Sequence, residues 1–357
     1  MANLKISQLT TYTGTSADLR WFVMNNEGET ETFKFSGYTS PLKESDGLNS
    51  FVNIYDTSSK TAGDYQCIVG GYNNQIQSTQ IRDVIFGGYD NVITTRSQGY
   101  GGTIIGGSQN ILYGTTDATG NYGASIFGSQ ACENNGYFGS IIGAIRGYVA
   151  VNNNHSNIVG GDTNKILNNN QHSFIGGGFT NQINADCQKS IILGGRNNTI
   201  NNQFGIIAGG GQNTAGYISA VLAGFNNNAQ NQATIIGGET NTASSAYGGM
   251  FGGTGNAVSS GAYSAIYNSQ NSTINSSGTR NALLSTNNST ITGSQQNAVM
   301  IGTSGRTATT DYATFVENLV IFNYSALNFA DDTAAAAGGV VLGQVYHNAG
   351  ALRIRIV

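Results

Sequence analysis

The chain has 357 residues, 51 glycines, one proline and a formal net charge of −4, and its charged residues make up 10%, against about 25% in an average soluble domain. This balance gives no electrostatic footprint for nucleic acid or for an anionic membrane surface. Collagen is excluded because glycine does not recur at every third position and proline is nearly absent. Disorder is disfavoured because apolar pairs recur too regularly along the chain.

Membrane insertion is not expected, because no run approaches the roughly 18 apolar residues of a transmembrane helix. Residues 1–10 lack the apolar core of a secretory signal, so we expect assembly in a cytoplasm. The three cysteines are odd in number, widely spaced and without metal-ligand spacing. We therefore predict that Cys67, Cys132 and Cys187 are reduced core residues.

Residues 1–65 are predicted to form a separate N-terminal domain. They hold eight of the chain's 19 acidic residues, with the only Trp and the only Pro. A turn signal at 25–28 between β-prone runs predicts a hairpin. Two interpretations stay open: a cap on the end of a repeat, or an anchor whose leading strand pairs with an edge on a larger assembly. The anchoring residues would be Leu4, Ile6, Leu9, Trp21 and Phe22.

Residues 66–300 repeat one short phrase, best seen at 191–200. An apolar pair or triplet leads into Gly-Gly, two variable residues follow, and then come Asn, one more residue and an apolar residue. The mean spacing is about 16 residues, with one marker placed at residue 225. The corner residues that we assign a structural role are Gly70, Gly71, Asn74, Gly87, Gly88, Asn91, Gly106, Gly107, Asn110, Gly194, Gly195, Asn198, Gly237, Gly238 and Asn241.

This spacing predicts an all-β fold with a β-helix or β-roll shaft. The unit is too short for a helix pair, and its apolar runs are short, β-branched and bounded by Gly and Asn. Glycine supplies the positive φ of a tight corner, with Asn as its commonest substitute, and a column of Asn can form an amide ladder. Roughly fourteen coils at about 4.8 Å give a rod near 65 Å long. Such thin coils enclose little core, which favours a homotrimer that shares apolar faces on a threefold axis.

Residues 301–357 are predicted to form a C-terminal cap and trimerisation domain. Residues 319–322 are a strand candidate, and Asp331 or Asp332 is placed to cap one helical turn that Gly338 ends. The final run alternates apolar residues with Arg353 and Arg355, which predicts a half-exposed strand in a terminal hairpin. The predicted distal tip comprises Tyr346, His347, Arg353 and Arg355.

The acidic residues of the repeat do not suggest catalysis. Cleavage of a polysaccharide needs two carboxylates at a fixed separation, whereas Glu133, Asp162, Asp186 and Glu239 are spread over different units. Asp162 and Glu239 fall one place apart in the repeat phase, but several units lie between them. We therefore assign no catalytic residue and do not expect an enzyme.

No cofactor or metal is indicated either. The histidines at 155, 172 and 347 have no Cys, Asp or Glu at ligand spacing. The Gly-Gly phrase is not followed by Gly-Lys-Ser/Thr or by a predicted helix, as a phosphate-binding loop would be.

Glycan binding remains open. Five of the 18 tyrosines lie near corners, where a ring can stack on a sugar or can stabilise the surface of the protein itself, and multivalency would strengthen weak sites. These residues are Tyr72, Tyr89, Tyr113, Tyr217 and Tyr247.

Both ends of the chain carry a resemblance to a known class of protein. The opening Met-Ala-Asn-Leu-Lys-Ile-Ser-Gln-Leu of residues 1–9 resembles the start of many tailed-bacteriophage virion fibre proteins. The segments 329–339 and 346–355 are similar to C-terminal segments of phage fibre and appendage proteins. The repeat resembles, more loosely, the Gly-rich β-rolls of trimeric bacterial adhesin heads.

The resemblance implies a homotrimeric head or tail fibre on the virion surface. Its N-terminus would attach to capsid or tail proteins, and its distal part would contact the host surface. Two alternatives from other classes stay open: a tailspike-like depolymerase that degrades polysaccharide, and a secreted bacterial trimeric adhesin. For an adhesin we would expect a signal peptide and a membrane-anchoring C-terminal segment.

Overall fold

A computed structural model describes the backbone of five N-terminal strand segments, and residues 66–77, 82–94, 101–113, 123–319 and 324–356. The N-terminal strands are Leu19–Asn26, Glu29–Ser36, Leu42–Glu44, Phe51–Asn53 and Lys60–Thr61. The predicted anchor residues Leu4, Ile6 and Leu9 lie outside the described residues.

The N-terminal strands pair in two different ways. Leu19–Asn26 and Glu29–Ser36 form an antiparallel pair in which Trp21 lies opposite Lys34 and Phe22 opposite Phe33. Leu42–Glu44 and Phe51–Asn53 are also antiparallel. Phe51 then pairs in parallel with Cys67, and Lys60–Thr61 with Gln75–Ile76. Parallel stacking therefore begins before residue 66.

From residue 66 onward the chain winds through two long parallel sheets, each strand paired with its counterpart one coil away. The coil strands of the first sheet are Cys67–Val69, Val84–Phe86, Thr103–Ile105, Ser125–Phe127, Ser140–Ile142, Asn157–Val159, Phe174–Ile175, Ile191–Ile192, Ile206–Ile207, Ala220–Val221, Thr234–Ile236, Gly249–Phe251, Ala265–Tyr267, Ala282–Leu284, Val299–Ile301 and Thr314–Val316. The second sheet continues from Lys60–Thr61 through Gln75–Ile76, Val92–Thr94, Ile111–Tyr113, Glu133–Asn134, Tyr148–Val149, Lys165–Ile166, Gln182–Ile183, Thr199–Ile200, Thr214–Ala215, Asn228–Ala229, Thr242–Ala243, Ala257–Val258, Thr273–Ser276, Thr290–Gly293 and Thr307–Ala308.

A third line of contact lies between the two sheets. Single residues pair in parallel from coil to coil, from Tyr72 to Ser304, and we call this set the bridge line. Each coil thus supplies a first-sheet strand, a bridge residue and a second-sheet strand. The protein is a parallel β-solenoid of about 14 turns, which confirms the predicted all-β, β-helical fold.

One side chain of each strand points into the coil, and together these side chains form the core. In the coil at 191–200, Ile192 and Ile200 are fully buried while Ile191 and Thr199 are half-buried. The same two positions in the other coils make a continuous cluster from Ile68 to Ala308. Full burial of one such aliphatic side chain contributes about 1.5–3 kcal/mol. The core therefore exists only because coils stack, since one coil has no second layer to cover its own residues.

Coil length and core volume change together. The corner that spacing placed at residue 225 lies instead at Gly224, with φ of +96°. The neighbouring bridge residues are Gly211, Phe225 and Glu239, so two successive coils have 14 residues each. In this short-coil region the inward residue of the second sheet is alanine, at positions 215, 229 and 243. Fewer residues enclose a smaller cross-section, and a smaller side chain fills it.

The solenoid continues past residue 300, where we placed a domain boundary. Val299–Ile301 pairs in parallel with Thr314–Val316, and Thr290–Gly293 with Thr307–Ala308. The boundary therefore falls inside a strand. The Gly-Gly-x-x-Asn phrase has disappeared here while the apolar triplet persists, so the spacing signal ends before the coils do.

Residues 324–356 form a small unit with its own core. It contains a 3-10 turn at Tyr324–Leu327, a helix at Asp332–Ala337, and an antiparallel hairpin of Val345–Asn348 with Ala351–Ile354. The Asp331 carboxylate accepts a hydrogen bond from the Ala334 N–H at 2.8 Å and so caps the helix. Ala335, Val340 and Tyr346 are buried together.

Two expectations for this unit need comment. All four residues of Ala351–Ile354 are exposed, so the predicted half-buried alternation is wrong. In the strand candidate at 319–322, Leu319 belongs to no strand and 320–322 lie outside the described residues.

Paired alanine substitutions at Gly194 and Gly195 test the corner geometry. Gly195 has φ of +90°, and a Cβ there would lie 2.2 Å from the Gly210 carbonyl oxygen, whereas a Cβ at Gly194 meets nothing within 4 Å. We expect Gly195→Ala to lower the free energy of unfolding by about 2–4 kcal/mol. Gly194→Ala should change it by less than about 1 kcal/mol. Urea unfolding followed by circular dichroism measures both, and equal losses would contradict this geometry.

Candidate functional site

The asparagine of the repeat phrase lies inside the coil. Asn198 is fully buried, and its Nδ2 donates to the carbonyl oxygens of Gly194 at 3.1 Å and Gly210 at 3.2 Å. Its Oδ1 accepts from the backbone N–H of Asn213 at 3.0 Å. Its own N–H donates to Asn181 Oδ1 at 3.0 Å. One side chain thus satisfies backbone groups in its own coil and in the next one.

Buried asparagines recur in this way through most of the solenoid and form what we call the Asn ladder. Serine or cysteine extends it: Cys132 N donates to Asn110 Oδ1 at 3.1 Å, and Ser272 N to Asn256 Oδ1 at 3.0 Å. Most of its bonds run from side chain to backbone, and amide-to-amide bonds of the kind we expected occur at fewer steps, as from Asn110 to Asn91 at 2.9 Å. Its asparagines are Asn74, Asn91, Asn110, Asn164, Asn181, Asn198, Asn213, Asn227, Asn241 and Asn256.

The glycines and the ladder asparagines have different structural roles at the corner. The second glycine of each phrase has a positive φ, and the ladder Nδ2 and the next coil's carbonyl fill the space of its Cβ; examples are Gly71, Gly88, Gly107 and Gly238. The left-handed residue later in the corner is the one before the ladder asparagine, such as Asn197 at φ of +55°. The ladder asparagines themselves are not among the residues with positive φ. Hydrogen-bonded groups of the protein itself, the ladder Nδ2 and the carbonyl of the next coil, fill the inside of the corner.

The carboxylates of the shaft are separated by the stacking itself. Asp162 and Glu239 occupy the same line, the bridge line, rather than positions one place apart. Five bridges separate them, which at about 4.8 Å per step is roughly 24 Å. Glycoside hydrolysis uses carboxyl groups about 5–9.5 Å apart, so these two do not act on one bond.

Asp162 is engaged by a neighbouring coil. Arg146 Nε donates to Asp162 Oδ1 at 2.9 Å, and Thr163 Oγ1 to the same oxygen at 2.7 Å. The hydrogen bond from Arg146 lowers the pKa of the Asp162 carboxyl. A general acid needs the opposite shift, so Asp162 remains ionised and links coils.

Glu133 and Asp186 accept hydrogen bonds from asparagine side chains. Asn135 Nδ2 donates to Glu133 Oε1 at 2.9 Å within one coil, and Asn169 Nδ2 donates to Asp186 Oδ1 at 3.1 Å between adjacent coils. The second of these contacts is exposed on the solenoid surface.

A line of stacked rings follows the turn that precedes each first-sheet strand. The His155 ring lies between those of Phe138 and His172, at 5.1 Å from each centroid. Lys189 Nζ lies 5.4 Å from the centroid of Phe204. All five residues are exposed and have positive φ. Sequence spacing carried this signal, because residues 138, 155 and 172 are 17 apart.

Metal binding and membrane crossing find no candidate within the described ranges. No group of three His, Cys, Asp or Glu residues there is placed to hold a metal ion. No helix there is long and apolar enough to cross a membrane.

The five candidate sugar-stacking tyrosines lie on three different surfaces. Tyr72 and Tyr89 stack on each other along the bridge line at 5.5 Å and 9°. Tyr113 is half-buried on the second sheet, and Tyr217 lies in a turn. Tyr247 stacks instead on Tyr263, which sequence reasoning missed, at 4.8 Å and 6°. Three of the five rings thus stack on rings of their own chain, and the five do not converge on one site.

A shallow polar groove crosses four coils near the end of the solenoid. It has a volume of about 490 Å³, and its lining includes Thr254, Gln270, Asn287 and Ser304 of the bridge line. It lies where Ser269, Thr286 and Thr303 replace the corner glycine.

The predicted tip residues are divided between the interior and the surface of the C-terminal unit. Tyr346 and His347 are buried, and the Tyr346 hydroxyl donates to Asp332 Oδ1. This hydrogen bond raises the pKa of Tyr346. Arg353 is exposed, while Arg355 Nη1 donates to the Val340 carbonyl. Tyr346 and His347 therefore hold the unit together.

The cysteines are free thiols. Cys132 and Cys187 are buried, whereas Cys67 is only half-buried, so the prediction of a core position fails for that residue. Cys132 Sγ accepts from the Gly147 N–H at 3.1 Å and thus takes a place in the ladder. Burial raises the pKa of the Cys187 thiol to about 11.

The most extensive feature that sequence reasoning missed is an exposed apolar row on the first sheet. In each coil the residue after the buried first-sheet side chain points outward, and it is uncharged throughout. Exposure reaches 54% at Leu193 and 48% at Phe86. The apolar row comprises Val69, Phe86, Ile105, Phe127, Ile142, Val159, Gly176, Leu193, Ala208, Leu222, Ile236, Phe251, Tyr267, Leu284, Ile301 and Val316.

No family model and no curated protein sequence matches this chain.

Replacement of a ladder asparagine tests its role. Asn198→Ala leaves two carbonyls and one N–H without their buried partner, and each such loss costs about 1–3 kcal/mol. We expect a total loss of about 3–5 kcal/mol in the free energy of unfolding. The exposed Asn201→Ala serves as control and should cost less than about 1 kcal/mol. A loss at Asn198 no larger than that at Asn201 would contradict the ladder's role.

Thiol labelling tests the cysteine environments. Only the thiolate reacts, so at pH 8 a buried thiol with a pKa of about 11 should resist Ellman's reagent. We expect Cys187 and Cys132 to react only after unfolding in guanidinium, and Cys67 to react sooner. Because the pKa is raised, the reaction of Cys187 should accelerate as the pH rises toward 11. Equal rates for native and unfolded Cys187 would refute this assignment.

Proposed function

We propose that this chain is the non-enzymatic shaft subunit of a homotrimeric fibre on a bacteriophage particle. The observation that carries the proposal is the unbroken coil-to-coil pairing of the bridge line from Tyr72 to Ser304. A structure that repeats one small unit about every 4.8 Å extends in one dimension. That shape suits a spacer between a particle and a distant surface.

The interior chemistry supports a mechanical role. Buried asparagine, serine and threonine side chains bond to the backbone of the adjacent coil, as in Ser190 N to Ser173 Oγ at 3.3 Å. These bonds act along the rod, because each joins a coil to its neighbour. A rod tied in this way resists bending and local opening better than one held by aliphatic packing alone.

The attachment is assigned to the N-terminal region and the host contact to the distal part. The support is the resemblance of residues 1–9 and of segments 329–339 and 346–355 to phage fibre proteins. Head and tail attachment remain alternatives within this proposal. Along the shaft, exposed rings such as Tyr247 and Tyr263 offer weak, repeated stacking surfaces for a host glycan, which three chains would multiply.

The positions of the shaft carboxylates support the non-enzymatic assignment. Asp162 and Glu239 lie roughly 24 Å apart along the stack, and Asp162 is paired with Arg146. Hydrolysis of a glycosidic bond would need two such groups within one coil or adjacent coils.

Immunogold labelling of purified phage particles tests the proposal. Antibodies raised against residues 324–356 should label intact particles at a distance from the capsid or tail surface that matches a rod about 65 Å long or longer. Antibodies against a cytoplasmic host protein are the control. Particles that carry no label would overturn the proposal.

Two further outcomes would identify the competing functions. Label on the surface of uninfected bacteria would point to an adhesin. Shortening of host capsular polysaccharide by the purified chain, measured by gel filtration of the glycan, would point to a depolymerase. The proposed fibre should do neither.

A further inference from the structure

We infer that the apolar row on the first sheet is the surface along which three parallel copies of this chain meet. The inference rests on the proposed function and assigns the residues that would join the subunits. One large or small apolar residue per coil points outward at the same place along the whole solenoid, from Val69 to Val316. Glycine at 176 and alanine at 208 are its smallest members.

The row differs from the corresponding positions of the second sheet. There the residue after the inward side chain is mostly polar where it is exposed or half-buried, although Tyr113 and Leu167 break the pattern, and at three coils (Asn135, Ala150 and Gly216) this residue is buried. The polar residues are Gln77, Thr94, Asn184, Asn201, Gln230, Ser244, Ser259, Asn275 and Thr292. One coil geometry thus carries two opposite surface chemistries, so stacking within the chain does not explain the apolar one.

The sheet face that carries the row is large. Sixteen strands at about 4.8 Å make this face about 70 Å long, and three extended residues at about 3.3 Å make it about 10 Å wide, or roughly 700 Å². The largest apolar patch on a typical monomer is about 300–600 Å². A standard interface buries about 800 Å² per partner. The face that carries the row is therefore close to the size of one side of a stable interface.

The partner that covers the apolar row is a second copy of this chain, because the partner must have the same axial repeat. A partner that contacts the row along its length has to present apolar groups at the same axial spacing of about 4.8 Å over about 70 Å. A parallel copy in register does so by identity, since rotation about an axis parallel to the rod places each coil beside its own counterpart. No charged residue occurs in the row, so no like charges meet there.

Three copies fit the narrow shape of the row. Twelve of its sixteen members are exposed, while the other outward residue of each strand is mostly half-buried, as at Ile191 and Thr234. Three narrow rows can converge on one axis, each contributing a single residue per coil. At one level these would be three Leu193 side chains, and at another three Ile236 side chains.

Light scattering of the full chain, coupled to size exclusion, tests this arrangement. The wild type should have three times the 37.2 kDa chain mass, about 112 kDa. The variant Leu193→Glu with Ile236→Glu places charges on the axis and should reduce the mass to one chain. The control, Asn201→Glu with Ser244→Glu, changes the matching positions of the second sheet and should keep three chains. Any other wild-type mass, or three chains in the row variant, overturns the inference.

Cross-linking decides the matter if the row variant fails to fold. In a Cys67→Ser background, Ile236→Cys should give a two-chain band with a short bis-maleimide, because two thiols near the axis are within its reach. Ser244→Cys, on the second sheet, should give only one-chain bands. The reverse pattern, or no two-chain band from Ile236→Cys, refutes the inference. Neither result affects particle labelling, so a wrong interface and a wrong function are distinguishable.

Discussion

The fold depends on hydrogen bonds between successive coils, and the bonds of the Asn ladder are the most important of these because they satisfy buried backbone groups at the corners. A parallel sheet satisfies backbone groups along its strands, but a corner leaves carbonyls and N–H groups that point into the coil or toward the next one. At Asn198 one buried amide satisfies two carbonyls and one N–H. The corner can then be tight and dry, and coils of about 14–22 residues, most of them 17 or shorter, can stack.

This constraint explains the composition. The second glycine of each corner has no room for a Cβ, because the ladder amide and the neighbouring carbonyl already fill that space. Isoleucine is the commonest residue of the two inward columns, and alanine replaces it in the second-sheet column where the coil shortens. None of these inward positions tolerates an isolated charge.

The outside of the solenoid is where function must reside, because the inside is fully occupied. Its surfaces are chemically distinct: the apolar row, the mixed bridge line, the polar second sheet and the turn with its stacked rings. A periodic fold gives every surface the same spacing, so a row of identical contacts is easily built along it. The proposed self-association along one such row and the proposed weak glycan contacts along another are compatible with a single rod.

The sequence alone determined the all-β fold, the repeat length and the identity of the corner residues, because each coil repeats the same local requirements of burial and positive φ. It did not determine that the repeat asparagine faces inward, since a polar residue in a turn is more often solvated than buried, and only stacking supplies its partners. The sequence also did not predict where the solenoid ends, because the strands at 299–301 and 314–316 keep their pairing after the corner phrase is lost.

The sequence also did not predict the apolar row, for a different reason. In a short apolar triplet such as Ile191-Ile192-Leu193, all three residues look like core. Only the tertiary structure decides that Ile192 is enclosed and that Leu193 is turned outward. The alternation of a strand assigns neighbouring side chains to opposite faces, but which face becomes the interior depends on the direction in which the chain turns at Gly194-Gly195 and on the coils above and below.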